Sequence, residues 1–189
     1  MRLSRRFTGP LAAGVMAAGA AVAAAAPASA NTVTPYWHIM TIPQGFDHPL
    51  CLQGDLGGPL GSTVTQQNCD ETFTSTSQLW QPVSVSGDIY KFENIGTGRC
   101  LEARNGAVNG GAVDLWPCES SESNERWSWP SFPNGQSTFP DVQPLQTRVS
   151  GSTGYCLDVP WAQLTVGLQM QVYRCNGTAA QLMWITHPD

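Results

Sequence analysis

Cys51-Leu52…Cys69…Trp80, Cys100-Leu101…Cys118…Trp127 and Cys156-Leu157…Cys175…Trp184 are three copies of one pattern. The cysteines of each copy stand 18, 18 and 19 residues apart, and the later two tryptophans each follow nine residues after the second cysteine. A unit of this length cannot bury a core of its own, so three units must close around one axis as a single domain. They fall at approximately 36–84, 85–132 and 141–189. Positions that vary between copies on a shared scaffold are where function is to be sought.

Six cysteines allow fifteen pairings, and the repeat selects one: Cys51–Cys69, Cys100–Cys118 and Cys156–Cys175. Each bridge closes a loop worth roughly 3 kcal/mol on the chain-entropy model. The rival use of cysteine, a zinc site, needs closely spaced ligands. No Cys-x-x-Cys pair exists, and His38, His48 and His187 stand alone in sequence. Neither a metal nor a cofactor is expected.

The first thirty residues read as a cleaved secretory signal peptide. Arg2, Arg5 and Arg6 form a basic start, residues 11–26 are an alanine-rich apolar run, and Ala28-Ser29-Ala30 supplies small residues for a peptidase. Ser4-Arg5-Arg6-Phe7 is close to a twin-arginine signal, with the phenylalanine one position early, and ordinary secretion is the preferred reading. The run is short and no second span follows, so membrane insertion is not expected. Residues 31–189 then form one domain in an oxidising, extracellular setting. The leader carries three of the nine basic residues and none of the fourteen acids, which leaves a formal charge of about −8. A surface that acidic repels phosphate backbones and anionic lipid, which argues against nucleic acid as a partner.

Local patterning is that of short strands. Residues 89–95 alternate apolar and polar side chains, and Gly96-Thr97-Gly98 turns the chain into Cys100. Residues 142–149 lead in the same way through Gly151-Ser152-Thr153-Gly154 to Cys156. Nineteen glycines and fourteen prolines punctuate the chain, and no window keeps a helical period with caps. Residues 128–140, rich in Pro, Ser, Gly and Asn, read as an enlarged loop. The fold class is all-β.

The three Cys-Leu openings, the cysteine pairs and a Gln-x-Trp-like ending in each unit resemble the ricin-type lectin family, whose fold is the β-trefoil. The resemblance spans residues 36–187. Gln78-Leu79-Trp80 keeps the ending intact, and Glu125-Arg126-Trp127 substitutes glutamate. Leu182-Met183-Trp184 keeps only the tryptophan, with Gln181 one position early. Repeated in phase, Trp80, Trp127 and Trp184 are expected in a shared interior rather than at sugar platforms.

The resemblance implies galactose-type binding by an acid two residues after a unit's first cysteine, a polar group four before the second, and an aromatic two before it. The carboxylate and amide would bond sugar hydroxyls, and the ring would pack on the apolar face of the sugar. The third unit supplies Asp158, Gln171 and Tyr173, with Gln181 as a further amide. The second supplies Glu102, Asp114 and Trp116, with Asn124 nearby, and two facing acids there should repel and weaken the site. The first has Gln53, Thr65 and Gln67, without acid or aromatic, and is expected to be structural. Trp161 is either a buried anchor or a second wall of the third-unit pocket.

Catalysis is not expected. Gly54-Asp55-Leu56-Gly57-Gly58-Pro59 is similar to the nucleophile motif of trypsin-like proteases, but leucine stands where the serine must be. It is expected to be a turn whose glycines take positive φ. Glu102 and Asp114 are the one conceivable carboxylate pair, and a shallow pocket is not expected to raise the pKa of either. The preferred function is a secreted glycan-binding lectin. The alternatives are a targeting subunit for a companion secreted protein, toxin or glycoside hydrolase, or a trefoil protease inhibitor acting through the 128–140 loop.

Overall fold

A computed structural model describes residues 36–45, 47–119, 121–129, 142–151 and 154–186. The leader over residues 1–30 and nearly all of the enlarged loop lie outside the described residues. The described chain forms β1 (His38–Thr41), β2 (Leu50–Gly54), β3 (Ser62–Asn68), β4 (Trp80–Ser86) and β5 (Ile89–Asn94). It continues with β6 (Arg99–Ala103), β7 (Gly111–Pro117), β8 (Trp127–Ser128), β9 (Gln143–Pro144) and β10 (Gln146–Thr147). The last three are β11 (Tyr155–Asp158), β12 (Gln171–Arg174) and β13 (Leu182–Thr186).

Six segments pair into a closed ring, β9 and β10 counting as one segment interrupted at Leu145. β4 pairs with β5, β5 with β8, β8 with β10, β9 with β13, and β13 with β1. The ring closes where Trp37 and Trp80 exchange two backbone hydrogen bonds of 2.9 Å. Closure leaves no barrel edge unpaired. Three hairpins cover one end of this barrel: β2–β3, β6–β7 and β11–β12. They meet each other as β3–β7, β7–β12 and a Thr65–Gln169 bridge, so each unit touches both of the others. This is the β-trefoil. The three disulfides are those the repeat selects, with Cα separations of 4.9, 5.0 and 5.1 Å.

The Cys-Leu openings have a simple geometric meaning. Adjacent strand residues face opposite ways, so Leu52, Leu101 and Leu157 enter the core, where each is fully buried. The cysteines join the opposite face, paired in register with Gln67, Trp116 and Tyr173. That face carries the variable residues.

Two sequence expectations need correction. Trp80 and Trp127 are fully buried, each donating its indole N–H to the leucine carbonyl of its own unit, Leu52 at 3.0 Å and Leu101 at 2.9 Å. Trp184 is only partly buried, and Met183 occupies the fully buried place instead. The reason is register: 3₁₀ turns at Thr76–Gln78 and Ala179–Gln181 align Gln181 with Gln78, which makes Met183 the equivalent of Trp80 in its unit. The third ending is therefore Gln181-Leu182-Met183, and the glutamine is not displaced. The second correction concerns Gly54, Gly57 and Gly58, none of which is among the positive-φ residues. Gly54 is required by packing instead: a Cβ there would lie 2.8 Å from Leu115 Cδ1.

Candidate functional site

The hairpin register brings the variable residues of each unit together. Asp158 lies opposite Gln171, Glu102 opposite Asp114, and Gln53 opposite Thr65. In each unit the residue facing the first cysteine comes next on the same face, which gathers all three positions at one end of the hairpin.

In the third unit they line a cavity of about 520 Å³ with Trp161, Asn176 and Thr178. Asp158 forms its floor and is 4 % exposed. Gln171 Nε2 donates to Asp158 Oδ1 at 2.6 Å, and Gln181 Nε2 donates to Oδ2 at 3.0 Å. Burial pushes the Asp158 carboxyl up from its ordinary range, and the two amide donors oppose that shift. Tyr173 stands at the rim, 38 % exposed. Asp158 lies beneath that rim.

Gln181 does not line the cavity. Its Nε2 also donates to Arg174 O at 2.9 Å, and its Oε1 accepts from Asn176 N at 2.9 Å. It aims the carboxylate rather than offering a hydrogen bond to a ligand. Gln78 does the same in the first unit, donating to Asn68 O and Gln53 Oε1 and accepting from Asp70 N. The first unit's cavity, about 400 Å³, has Gln53, Thr65 and Gln67 in its wall and no aromatic ring.

The second unit departs because Glu125 replaces this amide. A carboxylate accepts but cannot donate, so Glu102 loses the support that Asp158 enjoys. Glu125 is buried and paired with Lys91 instead. Asn124 takes over as the hydrogen-bond partner of Glu102. Across the hairpin, Asp114 is fully buried and paired with Arg104, which also donates to Gly61 O. Glu102, Asp114, Arg104 and Trp116 line a cavity of about 410 Å³.

Glu102 is pushed up to about 7, chiefly by burial and next by the facing charge of Asp114, the repulsion that two acids at these positions imply. Burial also raises Asp114, and Arg104 pulls it back. The expectation that a trefoil pocket leaves both acids unshifted is corrected.

A pH dependence follows. A carboxyl whose folded pKa lies above its ordinary 4.5 binds its proton more tightly in the folded state. Its stabilising contribution is complete below about pH 4.5 and is lost as pH rises through 7. Glu102→Gln should therefore gain on the parent chain between pH 5 and 8, by on the order of 1–3 kcal/mol. Thermal melts across that range test this, and parallel profiles for the two proteins would refute it.

Comparison with known proteins bears on this arrangement. A family model described as the ricin-type beta-trefoil lectin domain matches residues 40–137. No curated protein matches the chain in sequence. Among solved structures, the designed three-fold symmetric protein ThreeFoil is similar at a TM-score of 0.65 and 20% identity, over 80% of this chain and 97% of that one. The C-half of an earthworm R-type lectin, solved in complex with GalNAc, is similar at 0.59 and 12% identity, over 82% of this chain and 100% of that one. A mosquitocidal holotoxin is similar at 0.63 and 16% identity over 84% of this chain, which spans only 18% of the holotoxin's length. At such identities these structures speak for the fold, and the matched family model covers the first two units. The chain belongs to the ricin-type beta-trefoil lectin domain family.

Proposed function

We propose that this protein is a secreted, non-catalytic lectin that binds galactose-type or related glycans, chiefly through the third unit. One observation carries the reading: a carboxylate buried beneath an open cavity, fixed by two amide donors, with a tyrosine ring at the rim. Such a carboxylate keeps lone pairs directed at a ligand's hydroxyls, and the ring offers an apolar face to the sugar's C–H surface. The second unit offers Trp116 beside two facing acids, of which Asp114 is already taken by Arg104, and it is the weaker partner. The first is structural.

A single shallow pocket of this kind binds a monosaccharide at about millimolar strength. Tyr173→Ala should cost about 1 kcal/mol of binding and leave the melting temperature unchanged. Asp158→Ala should lose 1–3 kcal/mol of binding. It should also lose some stability, because two amides lose their acceptor. Trp116→Ala should matter less than Tyr173→Ala. A glycan array followed by calorimetry makes these comparisons. Indifference to all three substitutions would sink the sugar-binding reading, and a larger effect of Trp116→Ala would invert the ranking of the two sites.

A second reading is that the chain targets a companion secreted protein to glycan surfaces. The similarity to a domain-sized part of a holotoxin favours it. Pull-down from culture fluid that yields a stoichiometric toxin or glycoside hydrolase would support that role.

A further inference from the structure

Trp161 is a wall of the third-unit cavity and no buried anchor: it is 82 % exposed, and it borders a second cavity as well. The second cavity, about 280 Å³, is lined by Gly110, Ala112, Pro160 and Gln169, and shares both Trp161 and Gln171 with the first. It lies on the seam where β12 pairs with β7, with Gln171 opposite Ala112.

The indole is held in place at a conformational cost. Trp161 and Ala162 both have left-handed backbones, φ 55° and 54°. That region costs a residue with a Cβ roughly 1–2 kcal/mol, and such strain persists only where the surroundings enforce it. Here they do. Ala162 N and Gln163 N close the turn onto Val159 O and Pro160 O at 3.0 and 3.2 Å. Beyond the turn, fully buried Gln66 of the first unit binds the loop through its side chain, donating to Gln163 O and to Thr165 O at 3.0 Å. Its backbone adds two more bonds, from Gly167 N at 2.8 Å and to Leu168 O at 3.0 Å. A solvent-facing tryptophan on a loop anchored this firmly is preorganised for a ligand, since little freedom remains to be lost on binding.

Gln171 links the two cavities chemically. Its Nε2 serves the Asp158 carboxylate of the first. Its Oε1 is directed to the other side, where a Cβ on Gly110 would lie 4.0 Å from it. Two adjoining cavities divided by an aromatic ring, each with a largely apolar wall and one or more polar side chains, match successive rings of a saccharide chain, whose apolar faces and hydroxyl edges alternate along the contact.

We propose that the third-unit site is a two-subsite groove that takes at least a disaccharide: one ring over Asp158 and Tyr173, the neighbouring ring in the Gly110–Gln169 cavity, with Trp161 between them. The inference rests on the carbohydrate reading above and extends it to chain length. Trp161 sets the length preference and Asp158 sets the basic affinity.

The test compares free galactose and GalNAc with an array of mono- to tetrasaccharides ending in those sugars, for the parent chain, Asp158→Ala, Trp161→Ala and Ala112→Phe. The parent should bind its best disaccharide roughly tenfold more tightly than the matching monosaccharide, the scale of one added stacking contact. Trp161→Ala should abolish that advantage, since the ring borders both cavities. Ala112→Phe, which fills the second cavity, should do the same without touching the first. If the parent binds monosaccharides in an Asp158-dependent way and gains nothing from a second ring, the groove is wrong and the single-pocket lectin stands. If neither class binds through Asp158, both readings fall.

Discussion

Trp127→Ala should lower the unfolding free energy by about 3–5 kcal/mol, the range for emptying a large aromatic site. The indole is fully buried in the common core, and its N–H bonds to Leu101 O, so the substitution leaves both a void and an unpaired carbonyl. Trp80→Ala should behave alike, since its N–H reaches Leu52 O. The informative comparison is in the third unit. Met183→Ala should cost about 2–5 kcal/mol, whereas Trp184→Ala should cost less because its ring is only partly buried. Urea unfolding with unchanged m values would measure all four. If Trp184→Ala proves costlier than Met183→Ala, the one-residue offset between the tryptophan pattern and the core is refuted.

The second large effect concerns a charge. Lys91→Met should destabilise the chain by about 3–5 kcal/mol, the cost of leaving a buried partner ion uncompensated. Glu125 is fully buried, and Lys91 pairs with it while also donating to Glu119 O. Burial raises the Glu125 carboxyl, and Lys91 is the main influence that opposes the rise. The double variant Lys91→Met with Glu125→Gln should recover most of the loss, because an amide at 125 restores what Gln78 and Gln181 supply in their own units. Pairing shows why only one unit needs a cation. Trp37 and Tyr90 each pair with the closing tryptophan of their unit, so His38 is the counterpart of Lys91. His38 is buried, stacks on Phe73 at 4.0 Å between ring centroids, and is pushed down to about 4 by burial. It sits there as a neutral ring, in a unit whose closing motif carries the uncharged Gln78 in place of Glu125. Double-mutant unfolding curves decide the matter; purely additive losses would contradict the coupling.

The trefoil was legible because its signals repeat. Cysteine spacing fixed the disulfides, and the Cys-Leu step fixed which face of each hairpin meets the core. Asp158, Gln171 and Tyr173 do come together at one cavity, since a hairpin register turns sequence offsets into neighbours. What misled was identity without register: a tryptophan nine residues after Cys175 reads as the core residue, yet a methionine one place earlier fills the site. Arg104 and Lys91 escaped notice for a different reason. They compensate acids that the family pattern itself does not contain, and a compensating charge sits wherever space brings it, 10 residues from Asp114 in one case and 34 from Glu125 in the other. The glutamate in Glu125-Arg126-Trp127 was the available signal that a buried cation had to exist.

The antiparallel seam between β1 and β13, which joins His38 to Thr186 and Thr41 to Met183, has a consequence for how the chain folds. The barrel ring is completed only by residues at opposite extremes of the domain, so its last hydrogen bonds wait for the whole sequence. Loop-closure entropy makes such distant pairings slow to form, and a chain still being translated holds hairpins but no barrel. The same adjacency makes the order of the units arbitrary to the folded state. A circular permutant that joins residue 186 to residue 36 through a short linker and opens the chain between residues 129 and 142 would keep every barrel pairing intact, and would change only which seam is last to zip.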